Sequence, residues 1–219
     1  MASAVVEIAD AVGRRTKTRQ ALVGAGLRLL SQRPIDAISI DDIVMEAGVA
    51  KGSFYNHFED KEALARAVAA LIRVEVEQAV SAANAGVDDP ARRVARAVCV
   101  YLRHAVTDPM RAGVLQRIHT SVTYAAAPLN VGVMADVSAG LTGGRFAIPT
   151  AESGVLLIIG VAQVALTRAC DEPRATSTIV LGQQLCGLML RGLGLPTAEA
   201  DAIAAQAAHD IIQPALDAR

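Results

Sequence analysis

Tryptophan is absent from the 219-residue sequence, and tyrosine and phenylalanine occur only three times each. Aromatic residues make up 3% of the chain, whereas hydrophobic residues as a whole make up 53%. A core must therefore be built from aliphatic residues, and alanine and leucine are among the strongest helix formers. No stretch alternates between polar and apolar residues with a period of two, so the sequence predicts an all-α fold without a sheet.

The sequence has only three cysteines and almost no net charge. Cys99, Cys170 and Cys186 lie far apart, which fits neither a disulfide framework nor paired Cys-x-x-Cys metal ligands. This usage favours a reducing, cytoplasmic location. The chain has 21 Lys and Arg against 22 Asp and Glu, a net charge of -1. Only a local basic patch, not the total charge, can therefore indicate nucleic-acid binding.

Signals for export and for membrane insertion are also lacking. Glu7 and Asp10 interrupt the N-terminal segment that an export signal would need to be apolar. The longest strongly apolar stretch, 154–166, is shorter than the roughly 20 residues that cross a bilayer. We therefore expect this stretch to be a buried helix, and we expect no membrane partner.

Helical periodicity, interrupted by proline and glycine, organises the chain. We expect residues 1–13 to be a flexible leader, 14–64 to form a small helical domain, and 65–219 to form a larger one. The predicted helices span about 17–32, 40–47, 50–58, 60–83, 90–107, 109–123, 129–142, 150–169, 175–193 and 197–212.

Two of these helices are short and are joined by a tight turn. Ser39 is expected to cap the first, with Asp42 in the place that Glu takes in a capping box. Gly48 follows this helix, at a point where the chain has to turn in a left-handed conformation. A second short helix starts only a few residues later, so the pair is predicted to be a helix-turn-helix.

Residues 39–64, SIDDIVMEAGVAKGSFYNHFEDKEAL, resemble the DNA-binding domain of the tetracycline-repressor (TetR) family of bacterial transcription regulators. The resemblance covers about residues 15–65, and beyond them only length, helicity and the order of elements fit. Ala50 departs from the Ser or Thr that the family usually has there, which leaves the start of the recognition helix less firmly capped. The matching motif residues are Gly48, Gly52, Ser53, Tyr55, His57, Phe58, Lys61, Glu62 and Leu64.

The chemistry of the same residues agrees with this resemblance. A helix fits the major groove, where Lys51, Ser53 and Asn56 are expected to face base edges. Tyr55 and His57 are expected to donate to phosphates. Helix N-termini favour phosphate at Ser39 and Lys61, and Phe58 is expected to anchor the recognition helix. The predicted DNA-binding residues are Arg14, Arg15, Lys17, Ser39, Lys51, Gly52, Ser53, Tyr55, Asn56, His57 and Lys61.

Arg14, Arg15 and Lys17 enter that set because they belong to the single dense basic run of the sequence, which ends at Arg19. Such a run is either a solvated helix start or a contact with the DNA backbone or minor groove. The sequence leaves both possibilities open.

In the larger domain, polar or adaptable side chains on otherwise apolar helices predict a small-molecule site. The alternative is that these residues only fill the core. The helices at 150–169 and 175–193 are apolar around much of their circumference, which predicts a homodimer joined through them, as the family resemblance also implies. The predicted ligand-binding residues are Cys99, Tyr101, Tyr124, Met134 and Gln163. The small residues expected at the dimer contact are Gly154, Gly160, Gly182 and Gly187.

These observations predict a cytoplasmic repressor that binds a near-palindromic double-stranded operator as a homodimer and is released by a small-molecule effector. Two alternatives stay open: an effector that is a protein or absent, and a helical interaction module that does not bind DNA. The sequence contains no Gly-x-Ser-x-Gly motif, no P-loop and no His-Glu-x-x-His motif. His104, His119 and His209 are scattered singly, so the sequence predicts no enzyme, no metal and no cofactor.

Overall fold

A computed structural model describes the backbone of residues 2–117, 130–171 and 175–217, together with the side chains of 15–117, 130–171, 178–215 and 217. All regular structure in these ranges is helical, which confirms the predicted all-α fold. A short 3-10 helix, Ile35–Ala37, precedes the second α-helix. The α-helices are α1 (Ala2–Gln32), α2 (Ile40–Ala47), α3 (Lys51–Tyr55), α4 (Lys61–Ala83), α5 (Pro90–Thr107), α6 (Pro109–Arg117), α7 (Val131–Thr142), α8 (Ala151–Asp171), α9 (Ala175–Gly192), α10 (Thr197–Ile211) and α11 (Gln213–Asp217).

The chain divides into two compact units, Met1–Leu71 and Ile72–Arg219, and the division falls inside α4. The sequence placed the division at 64/65, near the start of the same helix. Helix α1 has 31 residues, so the backbone of 2–13 is helical where the sequence predicted a flexible leader. That segment contains no proline, and Gly13 costs a helix only about 1 kcal/mol, which does not stop it.

In the N-terminal unit, α1, α2 and the first turns of α4 enclose a small aliphatic core. Leu22 and Ile43 are almost completely buried in it. Gly26 lets α1 lie close to α4, because a Cβ there would come within 3.1 to 3.2 Å of Leu64 and Val68. This core fixes the frame to which α3 is attached.

The turn between α2 and α3 has the predicted local geometry. Gly48 adopts the left-handed conformation, with φ of 66° and ψ of 36°, which a residue without a Cβ adopts at little cost. Helix α3 is shorter than the predicted 50–58 and ends at Tyr55. The backbone N–H groups of His57 and Phe58 both donate to the carbonyl of Phe54, so the chain turns there instead of continuing as a helix.

In the C-terminal unit, α5 is the central helix. It packs against α6, α7, α8, α9 and α10, and half of its residues are buried, including Val94, Val98 and Leu102. Gly140 in α7 makes room for the Phe146 ring, because a Cβ on Gly140 would lie 2.1 Å from that ring. The predicted helix 109–123 is seen as α6 up to Arg117, and its remainder lies outside the described residues.

One helix among the described residues, α8, is long and apolar enough to cross a membrane by length and composition. It has 21 residues, more than the 154–166 stretch suggested, and a mean hydropathy of 1.7 over its most apolar window. Only 33% of that window is buried within the chain, so the sequence-based expectation of a buried helix is only partly met. The core helix of a soluble protein passes the same test, so length and composition alone are weak evidence of a membrane span.

Candidate nucleic-acid interface and effector region

Helix α3 is held to the N-terminal unit by two phenylalanines. Phe54 is fully buried and Phe58 is 6% exposed, with their ring centroids 5.9 Å apart. The sequence singled out Phe58 as the anchor, and the structure adds Phe54, which is the more buried of the two. Because Phe54 points into the core, the opposite face of this short helix is directed to solvent. The exposed residues there are Lys51, Gly52, Tyr55 and Asn56, with Ser53 half-buried.

Lys51 does not project freely from this surface. Its Nζ lies 2.8 Å from Asp41 Oδ1, and both side chains are largely exposed. The hydrogen bond to Asp41 raises the pKa of Lys51, so the ammonium stays charged. Exposed ion pairs of this kind contribute little to stability, and Lys51 can therefore exchange Asp41 for another hydrogen-bond acceptor.

Ser39 and Lys61 have structural roles that the sequence did not fully anticipate. Ser39 Oγ accepts the backbone N–H of Asp42 at 3.0 Å, and Asp42 accepts the N–H of Ser39 at 3.0 Å, which confirms the capping box. These bonds from Ser39 lower the pKa of Asp42. Lys61 Nζ donates to the carbonyls of Ile35 and Ile38 at 3.0 and 3.1 Å. Its ammonium therefore closes the 3-10 turn, and a phosphate would have to share it.

His57 and the basic run form a second group of polar side chains. Partial burial, followed by the charges of Arg15 and Arg19, lowers the pKa of His57, so the ring is neutral at pH 7 and donates one N–H. Arg19 lies over the Phe58 ring, 5.4 Å from its centroid, and is thus occupied in packing. Arg15 and Lys17 are exposed, and the side chain of Arg14 lies outside the described side chains.

The described residues predicted to bind a ligand lie on α5, α7 and α8, and they do not form one described cluster. Cys99 is fully buried, with its Sγ 3.9 Å from Cys186 Sγ on α9. Met134 on α7 and Gln163 on α8 are half-buried. Tyr124 lies outside the described residues. The hydroxyl of Tyr101 points to α4, where it donates to Glu77 Oε1 at 2.9 Å.

Sequence reasoning missed the α4 side of this polar contact. Burial raises the pKa of Glu77, and burial also raises the pKa of Tyr101. Arg73, one turn before Glu77, donates from Nη2 to Asn130 Oδ1 at 3.4 Å, and its buried Nε has no partner among the described residues. The spacing of Arg73 and Glu77 by four residues places both on one face of α4, and this spacing is the sequence signal that could have indicated the contact.

The outer faces of α8 and α9 carry large apolar side chains at intervals of eight residues. Leu156 and Val164 on α8 are 43% and 66% exposed, and Val180 and Leu188 on α9 are 45% and 58% exposed. Gly160 lies between the first two, with open space around the position of a Cβ. These five residues are called the outer stripe below.

The other three glycines expected at a dimer contact instead serve packing within the chain. A Cβ on Gly154 would come within 2.5 Å of Ile148, one on Gly182 within 3.0 Å of Ile212, and one on Gly187 within 2.9 Å of Asp201. Helical periodicity showed that these helices are apolar all round, but it did not show which side faces the chain's own core.

Among the described residues, no group of three or more His, Cys, Asp or Glu side chains is placed to hold a metal ion. The polar groups considered above lie on the exposed face of α3 and in buried contacts of the C-terminal unit. An N-terminal helix-turn-helix unit followed by a larger all-α unit is the architecture of a DNA-binding regulator.

Two family models match the chain. The model described as bacterial regulatory proteins, tetR family, matches residues 22–68, and the model described as tetracyclin repressor-like, C-terminal domain, matches residues 89–206. Since the second match alone covers more than half of the sequence, the chain belongs to the TetR family of bacterial regulatory proteins. Its residues 22–68 are the helix-turn-helix DNA-binding part of that family.

Four curated relatives match the chain, each over a short part of its length. The HTH-type transcriptional repressor DhaR of Mycobacterium sp. (strain GP1) is 49% identical over 49 residues, which are 22% of this chain and 25% of DhaR. The HTH-type transcriptional regulator AcrR of Shigella flexneri is 40% identical over 58 residues, 24% of this chain and 27% of AcrR. The matches thus span about a quarter of each relative.

A solved structure is similar over most of the chain. RolR in complex with its ligand resorcinol superposes with a TM-score of 0.65 and 28% identity, covering 89% of this chain and 96% of RolR. A gamma-butyrolactone receptor, an ArpA-like protein, superposes with a TM-score of 0.60 at 18% identity over 90% of this chain and 99% of the receptor, which bears on the fold alone.

Proposed function

We propose that the protein is a cytoplasmic transcriptional repressor that binds a near-palindromic operator as a homodimer and is released by a small molecule bound in the C-terminal unit. DNA binding is inferred from the exposed surface of α3. Burial of Phe54 on the opposite face of this helix leaves Lys51 and Tyr55 exposed to solvent. Family membership and the similarity to DhaR, a transcriptional repressor, support the same function. The proposal includes no enzymatic activity and no cofactor.

Selection of duplexes from a random DNA pool, followed by anisotropy titration, tests DNA binding. We expect a selected near-palindrome and an affinity that falls steeply as salt rises, because lysine and arginine contacts release counterions from phosphates. An apolar interaction module would instead be nearly indifferent to salt. Failure to enrich any duplex above the starting pool would contradict the proposal.

The roles proposed for α3 predict that two substitutions act differently. Tyr55→Phe removes a phosphate donor and should weaken binding to all sequences alike, whereas Lys51→Ala should change the preferred base. A good direct base contact is worth about 1 to 3 kcal/mol of discrimination. Both residues are exposed, so neither change should unfold the unit. Anisotropy on the selected operator and on single-base variants measures both effects, and altered base preference in Tyr55→Phe with intact affinity would refute these roles.

The outer stripe supports the homodimer. Its exposed side chains lie at i and i+8 on both helices, so each helix presents large apolar side chains on its outer face. Two copies related by a two-fold axis would bury these side chains against each other in a four-helix contact. A two-fold dimer presents two recognition helices to successive major grooves about 34 Å apart, and this matches a near-palindromic operator.

The effector is proposed to bind among the buried polar contacts of the C-terminal unit, where Tyr101 meets Glu77. The ligand of RolR, resorcinol, makes small hydroxylated aromatics the first compounds to screen for release of the operator. Arg73 Nε, buried without a described partner, is an available donor for an acceptor on such a ligand. A regulator controlled by a protein, or without an effector, remains the alternative, and it predicts that no compound releases the operator.

Two substitutions test this location. Tyr101→Phe and Gln163→Leu should leave operator affinity unchanged, because both residues belong to the C-terminal unit, but should raise the effector concentration needed for release by about tenfold. Release is measured by anisotropy of labelled operator against effector concentration. Met110→Ala, at an exposed residue of α6, serves as the control. An unchanged concentration dependence in both variants would place the effector elsewhere.

A further inference from the structure

A half-open cavity of about 280 Å³ lies between α4, α5 and the start of α6, entirely within the C-terminal unit. Its apolar wall consists of Val76, Ala79 and Val100, of which Val76 and Val100 are almost fully buried. Its polar wall includes Arg103 and His104. None of the described residues predicted for the effector lines this cavity, so its occupant does not depend on the function proposed above.

Both acidic residues of the cavity, Glu75 and Asp108, pair with the same arginine. Arg111 on α6 forms an ion pair with Glu75 on α4, and the Nε of Arg111 lies 3.3 Å from Asp108 Oδ2. Asp108 Oδ1 also accepts the backbone N–H of Arg111 at 3.1 Å. Arg111 thus balances the charge of one of the two carboxylates, and the three groups together keep one formal negative charge. Arg103 also lines the cavity, and its guanidinium has no acidic partner among the described residues.

His104 supplies a second unused group. Its Nε2 is buried and has no hydrogen-bond partner within the described part of the chain. A buried polar atom without a partner is costly, and a bound ligand that accepts a hydrogen bond would remove that cost. Burial lowers the pKa of His104, so the ring is neutral at pH 7 and can carry its proton on Nε2.

We propose that this cavity is a binding site for a small monocarboxylic acid with an apolar tail. The carboxylate accepts hydrogen bonds from Arg103, whose planar fork suits the two carboxylate oxygens, and from His104 Nε2. The tail lies against Val76, Ala79 and Val100. A phosphate dianion fits less well, because it needs more donors than these two and would face Glu75 and Asp108 at close range.

Isothermal titration calorimetry of the full chain without DNA tests the site with hexanoate, hexanamide and inorganic phosphate as probes, each up to about 10 mM. We expect saturable binding of one hexanoate per chain and at least about tenfold weaker binding of hexanamide, which lacks the charge. Phosphate is expected not to compete. Absence of saturable hexanoate binding, equal binding of hexanamide, or tighter binding of phosphate would each overturn the proposal.

Variants locate the site. Arg103→Met should weaken hexanoate binding by at least about tenfold, and Arg103→Lys, which keeps the charge but not the fork, should weaken it less. Arg92→Met is the matched control, since Arg92 lies on the same helix, is 64% exposed in its side chain and does not line the cavity. Tyr101→Phe should also leave hexanoate binding unchanged. Equal loss in Arg103→Met and Arg92→Met, or loss only in Tyr101→Phe, would place the carboxylate elsewhere.

Discussion

A Leu188→Asp variant is expected to be a monomer at micromolar concentration and to lose most of its affinity for the operator. Leu188 is 58% exposed in the single chain, so a folded monomer accommodates an aspartate there. At a two-fold contact through the outer stripe, both copies would bury that carboxylate without a partner. The cost is several kcal/mol, which raises the dissociation constant of the dimer by about a thousandfold or more. Each monomer then holds only one half-site.

Sedimentation velocity at several concentrations measures the association, and anisotropy measures the operator affinity. Met110→Asp is the matched control, because Met110 is 50% exposed but lies on α6, outside the outer stripe. This control should sediment and bind as the wild type does. A wild-type protein that is already a monomer, or a Leu188→Asp variant that remains a dimer, would contradict the proposed contact.

Local signals in the sequence were sufficient to predict the structural elements that position α3. Ser39, Asp42 and Gly48 act through backbone groups within a few residues of themselves, so the capping box and the left-handed turn could be predicted without knowing the rest of the fold. Helices α2, α4 and α5 begin and end within about one residue of their predicted bounds for the same reason.

Features that depend on distant partners were not predictable in this way. Lys61 looks like a charged residue at a helix start, and only the fold brings its ammonium to the carbonyls of Ile35 and Ile38. Gly182 looks like a small residue on an apolar helix, and only packing shows that it faces Leu102 and Ile212 of its own chain. Periodicity predicts a helix, but which side of that helix packs against the chain's own core depends on the tertiary structure.

The same distinction applies to the buried polar groups of the C-terminal unit. Tyr101 stood out in the sequence because it is a polar side chain on an otherwise apolar helix. Glu77 and Arg73 did not stand out, since charged residues on a long helix are usually solvated. The hydrogen bond from Tyr101 to Glu77 links α5 to α4 in a partly buried polar contact. This contact supports the proposed location of the effector.

A Phe54→Ala variant is expected to lose operator binding through unfolding of the N-terminal unit, with no change to any residue proposed to contact DNA. The Phe54 side chain is fully buried and packs against two aromatic rings. Its ring centroid lies 5.5 Å from that of Tyr55 and 5.9 Å from that of Phe58. Truncating a core phenylalanine to alanine costs about 3 to 5 kcal/mol, which is most of the stability of a small unit.

Hydrogen exchange measured by mass spectrometry distinguishes this effect from loss of a DNA contact. Amides of α1 to α3 should lose protection in Phe54→Ala, while those of α5, α9 and α10 keep it, because the two units have separate cores. Tyr55→Ala is the matched control: Tyr55 is the adjacent aromatic residue but is 55% exposed, so its loss should weaken DNA binding without reducing protection. Full protection of α1 to α3 in Phe54→Ala would show that α3 is not held by this ring.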